Sequence, residues 1–194
     1  PDPDGWISLF NGKDLSGWEL RPAGFPAKVE NGLLRLDGSE RIETSGKMYW
    51  RGSGADLPVF TDFEVMATVK TERKGNSGIF LHSHPVRGNG VEVQIWNDSS
   101  KGTKGHTGSL QRISPLLSSR FRDGDWIQVK ARVEGKRVQT WLKKPEEPEW
   151  IPAIDWTQPD NWVPPSDRPD IKLGSGTLAL PGRQMRSAVQ AGVS

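Results

Sequence analysis

Apolar and polar residues alternate along much of the chain, most cleanly over residues 62–71. There Phe63, Val65, Ala67 and Val69 fall on one side and Glu64, Met66, Thr68 and Lys70 on the other. A period of two predicts a half-buried strand. The run Gly90-Val-Glu-Val-Gln-Ile-Trp96 repeats the pattern, with Val91, Val93 and Ile95 inward and Glu92, Gln94 and Trp96 outward. Residues 126–134 and 137–143 read as a hairpin around Gly135-Lys136, and Ile127, Val129, Ala131 and Val133 share a face. Residues 28–30 and 33–36 flank Asn31-Gly32, the pair that favours a type I′ turn.

Further strands are predicted at residues 4–10, entering the Asn11-Gly12 turn, at 79–84 and within 173–180. The strands near Asp62, Ile79 and Gly90 are expected to run as three consecutive antiparallel neighbours, with Gly75-Asn76-Ser77-Gly78 as a turn between the first two. Residues 41–55, containing Tyr49 and Trp50, read as a polar loop. Residues 144–170, crowded with Pro and with Trp150, Trp156 and Trp162, read as an irregular insertion. Helix-period stretches are hard to find, and Gly 22 and Pro 15 supply many turns, so the expected class is all-β. One domain over residues 1–182 is the expectation. Residues 183–194, basic and without alternation, form an atypical C-terminal tail expected to fray or lie displaced.

Charge narrows the partners. Lys+Arg 26 against Asp+Glu 24 leaves a net charge of +2 with no basic stripe outside the last residues, which argues against nucleic acid. No apolar run is long enough for a membrane span. No signal peptide is recognisable and the first residue is not Met, compatible with an export signal already removed. Cys 0 excludes disulfides, thiolate nucleophiles and Cys-ligated zinc, and leaves the redox compartment open. Nine Trp in so polar a chain suggest that some line a groove, where indole faces stack on sugar rings.

The chemistry concentrates on the polar face of residues 90–96. Glu92 and Gln94 stand roughly 6.6 Å apart along one side of the strand, with Trp96 beyond them. A carboxylate, an amide and an indole suit a polyhydroxylated ligand, although an isolated Glu92 is more commonly a surface carboxylate paired with a base. Asn76 could point its amide into the same groove. Trp141 is a further stacking candidate, whereas Trp18 and Trp126 are expected to anchor the core. Arg132 is a candidate for a substrate hydroxyl, with pairing to an acid the commoner alternative, and His106 lies in the Gly-rich Gly105-His106-Thr107-Gly108 loop. His82 and His84, two residues apart, could hold a divalent metal with Glu92 as third ligand, against the commoner solvated pair.

Several blocks occur in order: residues 8–18 (Ser-Leu-Phe-Asn-Gly-Lys-Asp-Leu-Ser-Gly-Trp), Gly75-Asn76-Ser77-Gly78-Ile79-Phe80, Glu92-Val93-Gln94-Ile95 and Thr107-Gly108. Together they resemble the 3-keto-disaccharide hydrolase domain family, over the chain up to Leu180. The resemblance implies a concanavalin A-like jelly-roll β-sandwich of two antiparallel sheets, an extracytoplasmic bacterial location, and a concave sheet that receives carbohydrate or a keto-glycoside. Three departures stand out: Gly182-Arg183-Gln184-Met185-Arg186 replaces a closing Arg-Asn-Ile pattern, His82 stands where Arg is common, and Asn97 where Asp is common.

Laminarinase-type endoglucanases on a similar sandwich carry acids on alternate positions of one strand, a spacing that Glu92-x-Gln94 keeps with one acid only. Retaining hydrolysis needs two carboxyl groups about 5 to 5.5 Å apart, and Gln94 cannot ionise. A ketone at carbon 3 would instead acidify carbon 2, so that one base, Glu92, could begin an elimination completed by hydration. The expected roles are Glu92 as base, Gln94 and Asn76 as orienting groups, and His82 or a metal at the enolate oxygen. A carbohydrate-binding module without turnover is the alternative.

Overall fold

The computed structural model describes residues 5–36, 46–73, 75–98 and 105–181, and the backbone of 187–193. The strands are β1 (Ile7–Ser8), β2 (Trp18–Arg21), β3 (Ala27–Glu30), β4 (Leu33–Leu36), β5 (Lys47–Trp50), β6 (Phe63–Thr71), β7 (Asn76–Ser83), β8 (Val91–Trp96), β9 (Trp126–Glu134), β10 (Arg137–Lys143), β11 (Ile151–Thr157), β12 (Thr177–Pro181) and β13 (Ser187–Val193). Among the described residues none is helical. Among them, therefore, no helix is long and apolar enough to cross a membrane.

Two antiparallel sheets result: the all-β class that the alternation predicted, in the sandwich that the family resemblance implied. One has five strands in the order β2-β5-β12-β7-β8, and the other has eight, in the order β11-β10-β9-β6-β13-β4-β3 with β1 paired to β13. Leu34 and Leu36 of β4, Phe63, Val65, Ala67 and Val69 of β6, and Ile127, Val129, Ala131 and Val133 of β9 meet Met48, Ile79, Leu81, Val91, Val93, Ile95, Leu178 and Leu180 in one core. Each fully buried Leu, Ile or Val is worth about 1.5–3 kcal/mol relative to exposure. The sandwich thus follows from period-two segments that each have one apolar face to hide.

Both hairpins form as expected. Asn31 and Gly32 take φ of 53° and 73°, the two positive values a type I′ turn requires, with Glu30 opposite Leu33. Glu134 pairs with Arg137 around Gly135-Lys136.

Several expectations are corrected. The strands near Asp62, Ile79 and Gly90 are not three neighbours: β7 and β8 pair in the five-stranded sheet, while β6 lies between β9 and β13 in the other. The chain passes from one sheet to the other between Thr71 and Asn76, where the Gly75 N–H donates to Glu72 O. Asn76, Ser77 and Gly78 already belong to β7 rather than to a turn. Tyr49 and Trp50 lie not in a polar loop but in β5, which is buried throughout. Residues 151–157, expected to be irregular, extend the larger sheet as β11. The tail is not displaced, because Ser187–Val193 lies between β6 and β4, with Gln190 opposite Thr68 and Ala188 opposite Arg35. The departure at residues 182–186 lies outside the described residues.

The tight β7–β8 connection depends on Gly90. Its φ is +70°, and a Cβ there would stand 1.9 Å from Leu81 O and 2.8 Å from His82 O. Gly90→Ala is therefore expected to cost at least about 2–3 kcal/mol in urea denaturation. Gly24→Ala, whose Cβ would meet nothing within 4 Å, should stay within about 0.5 kcal/mol of the parent.

Candidate functional site on the outer face of the five-stranded sheet

The core takes Met48, Ile79, Leu81, Val93 and Ile95, so the intervening residues of β5, β7 and β8 turn to the other side of the same sheet. Register then sets rows across that outer face. Glu19 pairs with Tyr49, Tyr49 with Ala179, Ala179 with Phe80, and Phe80 with Glu92. Arg21 pairs with Lys47, Lys47 with Pro181, and Gly78 with Gln94. Asn76 pairs with Trp96. Tyr49, Phe80 and Ala179 form a small apolar cluster of their own, separate from the main core.

Glu92 is placed by an absence. A Cβ on Gly78 would lie 2.7 Å from both Cγ and Oε1 of Glu92, so the carboxylate folds back over the backbone of β7 where residue 78 has no side chain. Beneath it Gln94 is 1% exposed and donates through Nε2 to Asn76 Oδ1 at 2.8 Å, while its Oε1 accepts from no protein donor. Gln94 is thus a buried support for the half-exposed Asn76. Trp96, half-buried, continues the face at the end of β8.

Lys47 and Tyr49 complete the floor. Lys47 is 9% exposed, and its ammonium stands 5.2 Å from the centre of the Phe80 ring. Burial pushes the Tyr49 phenol up, with Glu19 and Asp170 adding to the shift and Arg21 opposing it. Glu19, on the edge strand, pairs with Arg21 at 2.5 Å and Arg51 at 3.4 Å. Asp170 accepts from Asn89 N–H at 2.9 Å, Asn89 Nδ2 at 2.6 Å and Arg168 Nε at 3.1 Å. Burial alone would raise its carboxyl, but those donors hold it below the usual range.

The remaining candidates lie elsewhere. His82 has a φ of 55°, packs edge-on against Phe63 of the opposite sheet at 5.5 Å, donates from Nε2 to Thr61 O at 2.8 Å and accepts at Nδ1 from the Gly174 N–H at 3.1 Å. Both ring nitrogens are committed to backbone on the core side, so it does not meet Glu92. His84 Nδ1 accepts from the N–H groups of Val86 and Arg87. The His82–His84–Glu92 metal arrangement is therefore not assembled, and no group of three His, Cys, Asp or Glu side chains that could hold a metal occurs among the described residues.

Trp141 and Arg132 project from β10 and β9 on the outer face of the eight-stranded sheet. There Arg132 pairs with Glu64, and Lys130 lies 4.7 Å from the Trp141 ring. Trp126 is likewise on that face, 5.5 Å from Lys70, rather than a core anchor. Trp18 does pack on the core, donating to Leu9 O at 2.7 Å. His106 is buried in the loop that covers the free edge of β8, where Gly108 N–H donates to Gln94 O and Thr107 N–H to Trp96 O. Asn97, in place of the commoner Asp, joins a buried network, donating to Thr71 Oγ1, which in turn donates to Asp123 Oδ1 at 2.8 Å, and accepting from Thr107 Oγ1.

The site residues missed in the sequence were Lys47, Tyr49, Phe80 and Gly78. The alternation of Lys47-Met48-Tyr49-Trp50, with Met48 and Trp50 inward, is the one local sign of the first two, and burial of all four residues obscures it.

The profile of the 3-keto-alpha-glucoside-1,2-lyase-like domain matches residues 5–180. The chain belongs to this family. A curated Bacteroides thetaiotaomicron relative named 3-keto-disaccharide hydrolase is 37% identical over an alignment of 91 residues, covering 44% of this chain and 30% of that protein. The matched segment thus spans under a third of the relative. A Parabacteroides distasonis protein, provisionally named a glycosyl hydrolase, superposes with a TM-score of 0.75 at 17% identity, covering 98% of this chain and 94% of that one. The exoplasmic/lumenal domain of VIP36, in a form bound to Ca2+ and Man3GlcNAc, superposes with a TM-score of 0.61 at 15% identity, covering 96% and 86%. At these identities the likeness establishes the shared jelly-roll sandwich of the family.

The placement of His82 makes a prediction. Burial lowers its pKa below 6.5, against the opposing influence of Thr61 O and Asp62. The unfolded chain therefore binds the proton first, and the stability contributed by neutral His82 is complete above about pH 6.5 and declines as pH falls below it. His82→Gln should lose about 1–3 kcal/mol at pH 7.5 and show a shallower decline between pH 6.5 and 5, measured by denaturation at each pH. An unchanged pH slope would contradict the assignment.

Proposed function

We propose that the chain cleaves the glycosidic bond of 3-keto-glycosides by elimination, with Glu92 as the base. Family membership supports a glycoside-processing role and suggests the keto-sugar, and the mechanism is inferred from the site. The observation that carries the reading is the carboxylate count on the paired rows. On β5, β12, β7 and β8 the outer positions are Lys47, Tyr49, Ala179, Pro181, Asn76, Gly78, Phe80, Glu92, Gln94 and Trp96. Glu92 is the one acid among them.

The next acid on its row, Glu19, is four strands away. At about 4.8 Å per strand that is roughly 19 Å between backbones, against about 5–5.5 Å for retaining and 6.5–9.5 Å for inverting carboxyl pairs. Glu19 is also engaged by two arginines. A Glu92–Glu19 pair is therefore disfavoured by distance, and Asp170, whose charge reaches Tyr49, is engaged by Asn89 and Arg168.

A ketone at carbon 3 removes the need for a second acid. The Glu92 carboxylate takes the proton from carbon 2, and the C–H electron pair moves toward the ketone as an enolate. When that pair returns, carbon 1 and carbon 2 become doubly bonded and the carbon 1–oxygen bond breaks. The leaving alkoxide recovers the proton from Glu92. Water addition to the unsaturated sugar then gives net hydrolysis.

Asn76, supported by Gln94, and the half-buried Trp96 stand where sugar hydroxyls and a ring face would be received. We assign the protein to the extracytoplasmic space of a bacterium on the family resemblance. A binding module without turnover is the competing reading, and one assay separates them.

Glu92→Gln should lower kcat/KM for a 3-keto-glucoside by about 10²–10⁴-fold while leaving stability within about 0.5 kcal/mol. Turnover at the parental rate would remove Glu92 as base. Calorimetric binding of unmodified oligosaccharides, with no product from the 3-keto substrate, would favour the binding module.

A further inference from the structure

We propose that Lys47 is a second catalytic residue, its ammonium receiving the enolate oxygen formed when Glu92 deprotonates carbon 2. This rests on the reading of Glu92 as the base. The deprotonation moves a full negative charge onto the oxygen of carbon 3, and such a step needs a fixed donor aimed at that atom. His82, expected there from the sequence, has both nitrogens bonded to backbone on the core side of the sheet.

Lys47 approaches from the opposite side of the same floor. It precedes Met48 on β5, pairs with Pro181 of β12, and is nine-tenths buried. Continuing the antiparallel register beyond Ala179 and Phe80 sets Pro181 beside Gly78, and Ser77 Oγ donates to Pro181 O at 3.4 Å. The Lys47 and Gly78 backbones are thus two interstrand spacings apart, about 10 Å. A lysine side chain spans much of that gap, and the Glu92 carboxylate already lies over Gly78.

The Phe80 ring fixes the direction of the lysine. The Lys47 ammonium is 5.2 Å from its centroid, and Phe80 is the direct cross-strand partner of Glu92. Acid and ammonium therefore converge on the Phe80–Gly78 stretch of β7 from its two flanks. A sugar ring laid over that stretch presents carbon 2 to Glu92 and the adjacent carbonyl oxygen to Lys47. Tyr49 stands the same three spacings, about 14 Å, from β8 as Lys47 does, but burial keeps its phenol a neutral donor that brings no charge to the enolate.

In the step itself Lys47 stays protonated. Glu92 gains the proton from carbon 2, the carbon 2–carbon 3 bond becomes double, and the carbon 3 oxygen carries the charge beside the ammonium. The charge returns to re-form the ketone as the carbon 1–oxygen bond breaks, and no external oxidant or reductant takes part.

The absence of cysteine from the chain permits a direct test. Lys47→Cys is alkylated either with bromoethylamine, which rebuilds the ammonium, or with a propyl halide, which gives a neutral chain of similar length. Both products are assayed on a nitrophenyl 3-keto-glucoside beside the parent, Lys47→Met and Glu92→Gln, with circular dichroism as the folding check. The aminoethyl form should exceed the propyl form at least tenfold in kcat, with KM changed less than threefold. Lys47→Met should fall about 10²–10³-fold.

Equal activity of the aminoethyl and propyl forms, with Glu92→Gln inactive, would overturn the role of Lys47 and leave that of Glu92 standing. Parental activity in Glu92→Gln would overturn both. Comparing two alkylated forms of one variant keeps the outcome decisive where Lys47→Met does not fold.

Discussion

The outer face of the five-stranded sheet depends on one close approach, that of the Glu92 carboxylate to the backbone of Gly78. Residue 78 faces outward at the centre of the β7–β8 pair, opposite Gln94. Any side chain there would occupy the space that Cγ and Oε1 of Glu92 fill, and would also press on Val93 O at 2.8 Å. Because the position is glycine, the acid lies back over the sheet instead of standing away from it. Gln94 is buried beneath, and its amide is held by Asn76. The same omission leaves Phe80 as the nearest bulky group, and its ring receives the Lys47 ammonium. One missing Cβ therefore arranges an acid, an amide pair and a cation around one apolar platform.

Legibility from the sequence followed the strength of the local period. β6, β9 and β10 were plain because their inward residues are apolar except for Thr71 and Thr140 and their outward residues are mostly polar. β5 was hidden because its outward residues, Lys47 and Tyr49, are buried as deeply as its inward ones. A strand covered on both faces loses the contrast on which the period depends. β13 was hidden for another reason: Ser, Ala, Gln and Gly carry little apolar contrast, and its place between β6 and β4 is set by non-local pairing.

The site was legible along the chain but not across it. Glu92, Gln94 and Trp96 share a face of one strand as alternation predicts, and Asn76 joins them because β7 begins where a turn was expected. His82 failed for a reason visible only in the backbone: its positive φ, at a point where the β12 register shifts, turns the ring toward Phe63 and the core. Trp141 and Arg132 failed because period two gives a residue's face within its sheet and says nothing of which sheet the strand joins. Lys47 was out of reach because its meeting with Phe80 passes through β12, a strand more than a hundred residues further on.

In the proposed mechanism, removal of the carbon 2 proton is the event that commits the sugar to cleavage. A 3-keto-glucoside carrying deuterium at carbon 2, compared with the unlabelled compound under single-turnover conditions with a good leaving group, measures that event directly. A primary isotope effect well above unity on cleavage is predicted, together with loss of the label from the product. Cleavage at equal rates for the two compounds, with deuterium retained at carbon 2, would contradict the central claim and return the face to ordinary hydrolysis.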